Sequence, residues 1–248
     1  GHTDYVNGVV EVGGRRIVSA SLDYTAKLWS VADRRLLWTF TGHPSGVGCV
    51  CWLGDNRLAS GGADNAVKIW DIETQTCLGT LTGHVRAVMC VMSLGDGRIV
   101  SGSSDKTLRV WSVSSLSCVA TLTGHTIDVY SVASLGDGRV VSASSDTTLR
   151  VWDVSSQSCV AVVEGHSNTV YDVVSVGGGR VCRVVSASYD KTLKLWDVAT
   201  ASCIGTFSGH TGAVACVRLL GPDKIVSSSA DKSLRVWDLN TLLCLQTC

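Results

Sequence analysis

The chain has 248 residues, with 21 Lys or Arg and 21 Asp or Glu, so its formal net charge is zero. A neutral chain has no long-range field that attracts nucleic acid or acidic lipid, so we expect neither a nucleic-acid partner nor a membrane partner. The sequence holds no run of about 18 apolar residues and no signal peptide at its start, which predicts no transmembrane helix.

The sequence repeats itself with a period of about 40 residues. Gly-His recurs at intervals of 41 residues, or 44 after the fifth copy, and a Trp follows each His by 27 positions, or by 30 in the fifth copy. The residue after the Trp is Asp in four copies. A period of this length, with GH near its start and WD near its end, predicts a β-propeller built from four-stranded sheets, or blades.

We therefore predict an all-β fold, a β-propeller of six four-stranded antiparallel blades forming one domain over residues 1–248. The blades span residues 1–41, 42–82, 83–123, 124–164, 165–208 and 209–248. Six blades could close face to face, or they could be part of a seven-bladed ring.

The fourth copy shows the predicted elements of one blade in chain order. The apolar run Val129–Ser134 predicts the innermost strand, and Leu135–Arg139 (LGDGR) predicts a tight hairpin that needs positive φ. Val140–Ser144 and Thr148–Asp153 predict the second and third strands, and Ser158–Val163 predicts the outer strand. No copy has the pattern of an amphipathic helix.

The fifth copy inserts three residues within Gly177–Ser188. We expect a longer first hairpin on the bottom face there, since loops accept insertions at small cost.

Each copy also repeats four polar or aromatic side chains at fixed spacing: a His, a Ser four residues before an Asp, that Asp, and a Trp six residues after it. These sets are His2, Ser19, Asp23 and Trp29; His43, Ser60, Asp64 and Trp70; His84, Ser101, Asp105 and Trp111; His125, Ser142, Asp146 and Trp152; His166, Ser186, Asp190 and Trp196; and His210, Ser227, Asp231 and Trp237.

With these residues the chain resembles the WD-repeat family over essentially its whole length. The resemblance implies that each set forms a hydrogen-bonded Trp–Ser–His–Asp tetrad, which links the loop before the inner strand to the turn between the second and third strands. A buried Asp needs donors, and a His that bridges it to Ser supplies them.

Ser, His and Asp together could also suggest a catalytic triad. Six identical sets, each with its Ser in a strand beside a Trp, favour a fold element over a single nucleophile. The sequence contains no GxSxG, HExxH or Walker motif, and its only Glu residues are Glu11, Glu73 and Glu164. We therefore predict no enzyme activity, no catalytic or cofactor-binding residue, no cofactor, no metal site and no small-molecule substrate.

If the tetrads are used for folding, recognition should depend on residues that differ between copies. In the family, the rim of the top opening is lined by the residues three and five after the His and by the residue just before the tetrad Asp. Transferred here, these rim positions give a predicted protein-binding set: Tyr5, Asn7, Leu22, Met89, Asp128, Tyr130, Thr169, Tyr171 and Tyr189.

Four of the five tyrosines of the chain belong to this set, on copies one, four and five. Tyr combines contact area with a polar tip and is common in protein-recognition hot spots. The alternative is that these tyrosines only cap strand ends. No Arg lies at a rim position, although Arg86 is one residue away, which argues against a phosphopeptide receptor.

We predict a non-catalytic scaffold that binds partner proteins or peptides through its top face. The alternative is the substrate receptor of a ubiquitin ligase complex, because TLRVWD, and Cys followed by TLTGH, resemble F-box/WD-repeat propellers; no F-box segment lies within these residues. Trp52 and Trp38 interrupt the repeat with large side chains, which suggests either contacts with a larger complex or local packing.

Eleven cysteines are present, most of them in phase with the repeat. Periodic placement on strands favours small buried apolar side chains over metal ligands. Many unpaired thiols favour a reducing compartment, so we expect a cytoplasmic protein, with the nucleus or a cytoskeletal or ciliary complex as alternatives.

Overall fold

A computed structural model describes residues 1–177 and 182–248. The described residues form twenty-four β-strands in six four-stranded sheets, and each sheet consists of four strands consecutive in the chain, paired antiparallel. The predicted fold class, an all-β propeller of six four-stranded antiparallel blades, is confirmed. The seven-bladed alternative stays a prediction.

The chain comprises two compact units, residues 1–123 and 124–248, each with three blades. The single-domain interpretation stays a prediction. The strands of the first unit are β1 (Val6–Glu11), β2 (Arg16–Ser21), β3 (Thr25–Ser30), β4 (Arg35–Thr41), β5 (Val47–Gly54), β6 (Arg57–Gly62), β7 (Val67–Asp71), β8 (Thr76–Leu81), β9 (Val88–Ser93), β10 (Arg98–Ser103), β11 (Leu108–Ser112) and β12 (Ser117–Leu122).

The strands of the second unit follow the same plan. They are β13 (Val129–Ser134), β14 (Arg139–Ser144), β15 (Leu149–Asp153), β16 (Ser158–Val163), β17 (Val170–Val176), β18 (Arg183–Ser188), β19 (Leu193–Asp197), β20 (Ser202–Phe207), β21 (Val214–Leu219), β22 (Lys224–Ser229), β23 (Leu234–Asp238) and β24 (Cys244–Thr247). The predicted insertion of the fifth copy lies between β17 and β18, and residues 178–181 of it lie outside the described residues.

Apolar side chains join neighbouring blades within each unit. In the second unit, Leu149 and Val163 of one blade pack with Val170, Val184 and Trp196 of the next, and all five are at most 2% exposed. Burying such side chains contributes about 1.5–3 kcal/mol each. The alternating apolar pattern of the strands therefore forms the core between the blades.

A β-bulge begins the inner strand of every blade. In the fourth blade, Val129 pairs with Ser144 and Ser131 pairs with Ala143, which leaves Tyr130 as the extra residue. Tyr171 has the same place in the fifth blade. Because a bulge turns its extra residue out of the ladder, the position five residues after each His lies at the start of the sheet, where it is available for contacts.

The prediction of buried cysteines is wrong for most of the outer strands. Cys77, Cys118, Cys203 and Cys244 are exposed, and Cys159 is half-buried. The outer strand is the open edge of its sheet, and its thiols donate to the carbonyl two residues further on, as Cys118 does to Ala120 at 3.3 Å. Repetition at a fixed strand position therefore did not indicate burial.

Candidate functional site

The structure brings the four side chains of each predicted tetrad together. In the fourth blade, the Trp152 indole N–H donates to Ser142 Oγ at 2.8 Å, and Ser142 Oγ lies 2.7 Å from His125 Nε2. His125 Nδ1 lies 2.7 Å from Asp146 Oδ2. The same three contacts occur in the other five blades at 2.6–3.0 Å.

These contacts fit a neutral imidazole that donates from Nδ1 to the carboxylate and accepts at Nε2 from the serine hydroxyl. Burial lowers the pKa of His43 and of His84, although the neighbouring aspartate opposes the shift, so both rings favour the neutral form. Burial alone would raise the pKa of the Asp146 carboxyl. Hydrogen bonds from His125 and other donors outweigh that effect and hold the pKa well below the ordinary 3.8.

Three further donors, one from Thr126 and two from Thr148, complete the surroundings of the carboxylate. Asp146 accepts from the backbone N–H of Thr126 at 3.0 Å, and from the N–H and hydroxyl of Thr148 at 3.1 and 2.7 Å. The tetrad therefore links the turn between the second and third strands to the loop that precedes the first strand. We call this linkage the latch.

The second blade has a different donor set, which the sequence analysis missed. Pro44 stands where the fourth blade has Thr126, and a proline has no N–H to donate. Ala66 stands where the fourth blade has Thr148, so its hydroxyl is also absent. Asp64 turns both oxygens toward His43 Nδ1, at 3.0 and 2.9 Å. The second blade therefore keeps its tetrad, although fewer donors bind the Asp64 carboxylate than bind Asp146 in the fourth blade.

The tetrad glycines explain the invariant GH. Gly165 has φ +141°, and a Cβ there would lie 3.1 Å from the Trp196 ring. A side chain at this position would combine a strained backbone with a close contact to the indole. In the second to sixth blades a Cβ at this position would lie 3.1–3.4 Å from the tetrad indole, so packing favours Gly before the His there; at Gly1 a Cβ would meet nothing within 4 Å.

The rim positions meet in each blade through the backbone. The N–H of the residue before the tetrad Asp donates to the carbonyl of the residue three after the His, as Tyr189 does to Thr169 and Leu22 does to Tyr5, both at 2.9 Å. The same bond joins Ser145 to Asp128 in the fourth blade.

Three tyrosines of the predicted set contact one another in the second unit. The ring centroids of Tyr130 and Tyr171 are 5.3 Å apart with planes at 65°, and those of Tyr171 and Tyr189 are 6.2 Å apart at 59°. Burial, together with the neighbouring hydroxyls of Tyr130 and Tyr189, raises the pKa of Tyr171 above its ordinary value. Like any tyrosine hydroxyl, it is protonated at neutral pH and can donate a hydrogen bond. We call Tyr130, Tyr171 and Tyr189 the tyrosine row.

Other members of the set lie near the row or in the first unit. Asp128 and Thr169 are half-buried and two residues before Tyr130 and Tyr171, respectively. In the first unit, Tyr5 is 78% exposed, Asn7 is exposed and Met89 is half-buried. Leu22 covers Gly46, where a Cβ would lie 2.8 Å from its Cδ2.

The two irregular tryptophans have different surroundings. Trp52 is half-buried and packs against the core that joins the first two blades, which fits local packing. Trp38 lies on the outer strand β4 and is 41% exposed. Of these two tryptophans, Trp38 is therefore the one that presents a large apolar surface to solvent.

The described residues contain neither a metal-binding cluster nor a membrane-spanning helix. Within residues 1–177 and 182–248, no three His, Cys, Asp or Glu side chains are grouped so that they could hold a metal ion. The same ranges contain no helix that is long and apolar enough to span a membrane.

Comparison with known families agrees with the geometry of the tetrads. The model of the WD domain, G-beta repeat, matches six segments, residues 1–30, 34–71, 75–112, 116–153, 157–197 and 201–238. A comparison with curated proteins gives no match. The six matched segments cover most of the chain and contain all six tetrads, so the chain belongs to the WD-repeat family of β-propellers.

Proposed function

We propose that this protein is a non-catalytic interaction scaffold that binds a protein or peptide partner through the tyrosine row of its second unit. WD-repeat propellers generally bind protein partners. The observation that carries the proposal is the contact of three tyrosine rings at positions that differ between repeats. In the first unit, the positions equivalent to Tyr130 are occupied by Asn7, Gly48 and Met89.

The chemistry of the row suits a protein partner. Tyr189 is 51% exposed, while Tyr130 and Tyr171 are half-buried and held by their ring contacts. Rigid aromatic side chains lose little conformational entropy on binding and offer both an apolar face and a hydroxyl. The row therefore has the character of an anchor in an interface hot spot.

The tetrads support a scaffold without catalysis. Ser142, the candidate nucleophile of the fourth blade, is fully buried and bonded to both Trp152 and His125. A substrate carbonyl has no access to that hydroxyl in this arrangement. The repeated set serves to stabilise the fold instead.

A cytoplasmic location is part of the proposal. The free thiols of Cys77, Cys118, Cys203 and Cys244 are exposed to solvent. Exposed unpaired thiols persist in a reducing compartment, which supports the cytosol or the nucleus over the cell exterior.

The test is quantitative affinity capture from cell extract with the wild-type chain, Tyr130→Ala/Tyr171→Ala and Tyr24→Ala. Tyr24 is 55% exposed and lies outside the rim positions, so it is a matched control. We expect the wild-type chain and Tyr24→Ala to capture the same partners, and the double variant to lose them. If the folded double variant keeps every partner, the tyrosine row is not the binding site.

A further inference from the structure

Two tyrosines of the row, Tyr130 and Tyr171, lie on β-bulges at the start of the inner strands β13 and β17. The pairing within their own sheets does not fix the positions of these two residues. Tyr130 and Tyr171 are each the extra residue of a bulge, so neither has a direct ladder partner on the adjacent strand. Their ring spacing of 5.3 Å therefore depends on how β13 and β17 are held beside each other.

A buried side-chain hydrogen bond joins the two strands directly after these bulges. Ser131 follows Tyr130 and Asp172 follows Tyr171, and the Ser131 hydroxyl donates to Asp172 Oδ1 at 2.8 Å. Both residues are buried, at 9% and 6% exposure. A hydrogen bond to a buried carboxylate is stronger than one between neutral groups, so it constrains the separation of the two strands.

The second oxygen of the same carboxylate reaches the third blade of the unit. Asp172 Oδ2 accepts the backbone N–H of Val217 on β21 at 2.9 Å, and it also accepts Arg218 Nη1. The Arg218 side chain is largely exposed, and its Nη1 also donates to the Val217 carbonyl at 2.6 Å. One buried carboxylate thus connects the inner strands of three consecutive blades.

The repeat itself does not require this carboxylate. At the same register, six residues after the His, the other five copies carry Gly8, Cys49, Cys90, Ser131 and Cys216. Burying a charge is costly unless it is paired and hydrogen-bonded, so a buried Asp at one copy alone needs a reason beyond folding. The copy that carries it is the one whose tyrosine stands in the middle of the row.

We propose that Asp172 is a positioning residue of the tyrosine row, acting through Ser131 and through Val217 and Arg218. It fixes the inner strands next to the bulges, and so holds the rings of Tyr130 and Tyr171 in contact before a partner arrives. Preorganised anchors bind more tightly because less ordering is left for the binding step. The proposal rests on the proposed function only for the effect on binding; the ring contact is a property of the free protein.

The experiment measures ring-to-ring nuclear Overhauser effects between Tyr130 and Tyr171 in the full chain. Tyr130→Phe and Tyr171→Phe assign the two rings. Ser131→Ala removes the bond between β13 and β17 while leaving Asp172 with Arg218, and Asp172→Asn removes the charge at constant size. Ser134→Ala is the matched control, because its hydroxyl accepts Gly136 N–H at the opposite end of the same strand.

We expect the Tyr130–Tyr171 effect to fall to about half or less in Ser131→Ala and in Asp172→Asn, and to stay unchanged in Ser134→Ala. For any partner that depends on the row, we expect about tenfold weaker binding by folded Ser131→Ala. The proposal is overturned if the Tyr130–Tyr171 effect is unchanged in both Ser131→Ala and Asp172→Asn, or if Ser134→Ala loses it equally. If Tyr130→Ala/Tyr171→Ala keeps every partner, the proposed function fails, while the ring contact still decides the role of Asp172.

Discussion

Replacing the tetrad carboxylate of the fourth blade by an amide tests how much the latch stabilises the fold. Asp146 is almost buried and accepts four hydrogen bonds, from the His125 ring, the Thr126 N–H, and the N–H and hydroxyl of Thr148. In Asp146→Asn one oxygen becomes an NH₂ group, which faces donors instead of accepting from them.

The expected loss in the free energy of unfolding is worked out from the donors that lose their acceptor in Asp146→Asn. Oδ2 accepts from the His125 ring and from Thr126 N–H, and Oδ1 accepts from the two Thr148 donors. Whichever oxygen is replaced, two donors are left without an acceptor, at about 1–3 kcal/mol each when buried. Because the site is not completely closed to water, we expect the free energy of unfolding to fall by about 3 kcal/mol.

The assay is urea unfolding followed by tryptophan fluorescence, since Trp152 lies 5.9 Å from the His125 ring. Asp153→Asn is the control in the same blade: that carboxylate lies in a solvent-exposed turn, where it accepts from Ser155 and Ser156. We expect the control to lower the free energy of unfolding much less than Asp146→Asn does. A loss below about 1 kcal/mol for Asp146→Asn would refute the account of the tetrad as a stabilising latch.

Three further predictions follow from the backbone, the glycines and the histidines. Thr147 has φ +71°, which a β-branched residue rarely adopts, and the second blade has Asn65 at the same position. Thr147→Asn should therefore raise the free energy of unfolding, measured by urea titration, by about 0.5–1 kcal/mol. Gly165→Ala should cost about 1–2 kcal/mol in the same titration, because its φ is positive and the tetrad indole fills the space beside it; a neutral effect would contradict the packing argument. Burial lowers the pKa of His43 and His84 in the folded chain, so below pH 6.5 the unfolded chain binds more protons than the folded chain does. The free energy of unfolding should therefore fall as the pH decreases from 6.5. Equal urea midpoints at about pH 7.5 and about pH 5.5 would contradict this.

The fold could be predicted from the sequence because the repeat is complete. Each copy carries the same apolar alternation, turn glycines and tetrad residues at the same spacing, so one blade predicted the other five. In the fourth copy the predicted inner strand, Val129–Ser134, has the bounds found in the structure. The outer-strand cysteines were misjudged because periodicity gives a position along the strand, and burial depends on what lies next to the sheet.

The candidate site could be predicted only in part. The rim positions come from the resemblance to the WD-repeat family, and the tyrosines were visible there as a departure from the repeat. The bond between Ser131 and Asp172, and that between Asp172 and Val217, join residues more than 40 positions apart. No local pattern indicates such contacts, because they depend on how the inner strands of neighbouring blades are aligned.

The central claim, that a partner protein binds through the tyrosine row, is tested most directly by photocrosslinking. A photoreactive phenylalanine analogue is placed at Tyr189, which is 51% exposed in the row, or at Tyr24, which is 55% exposed outside it. The account predicts covalent partner adducts from position 189 and none from position 24. Adducts from position 24 alone would contradict it.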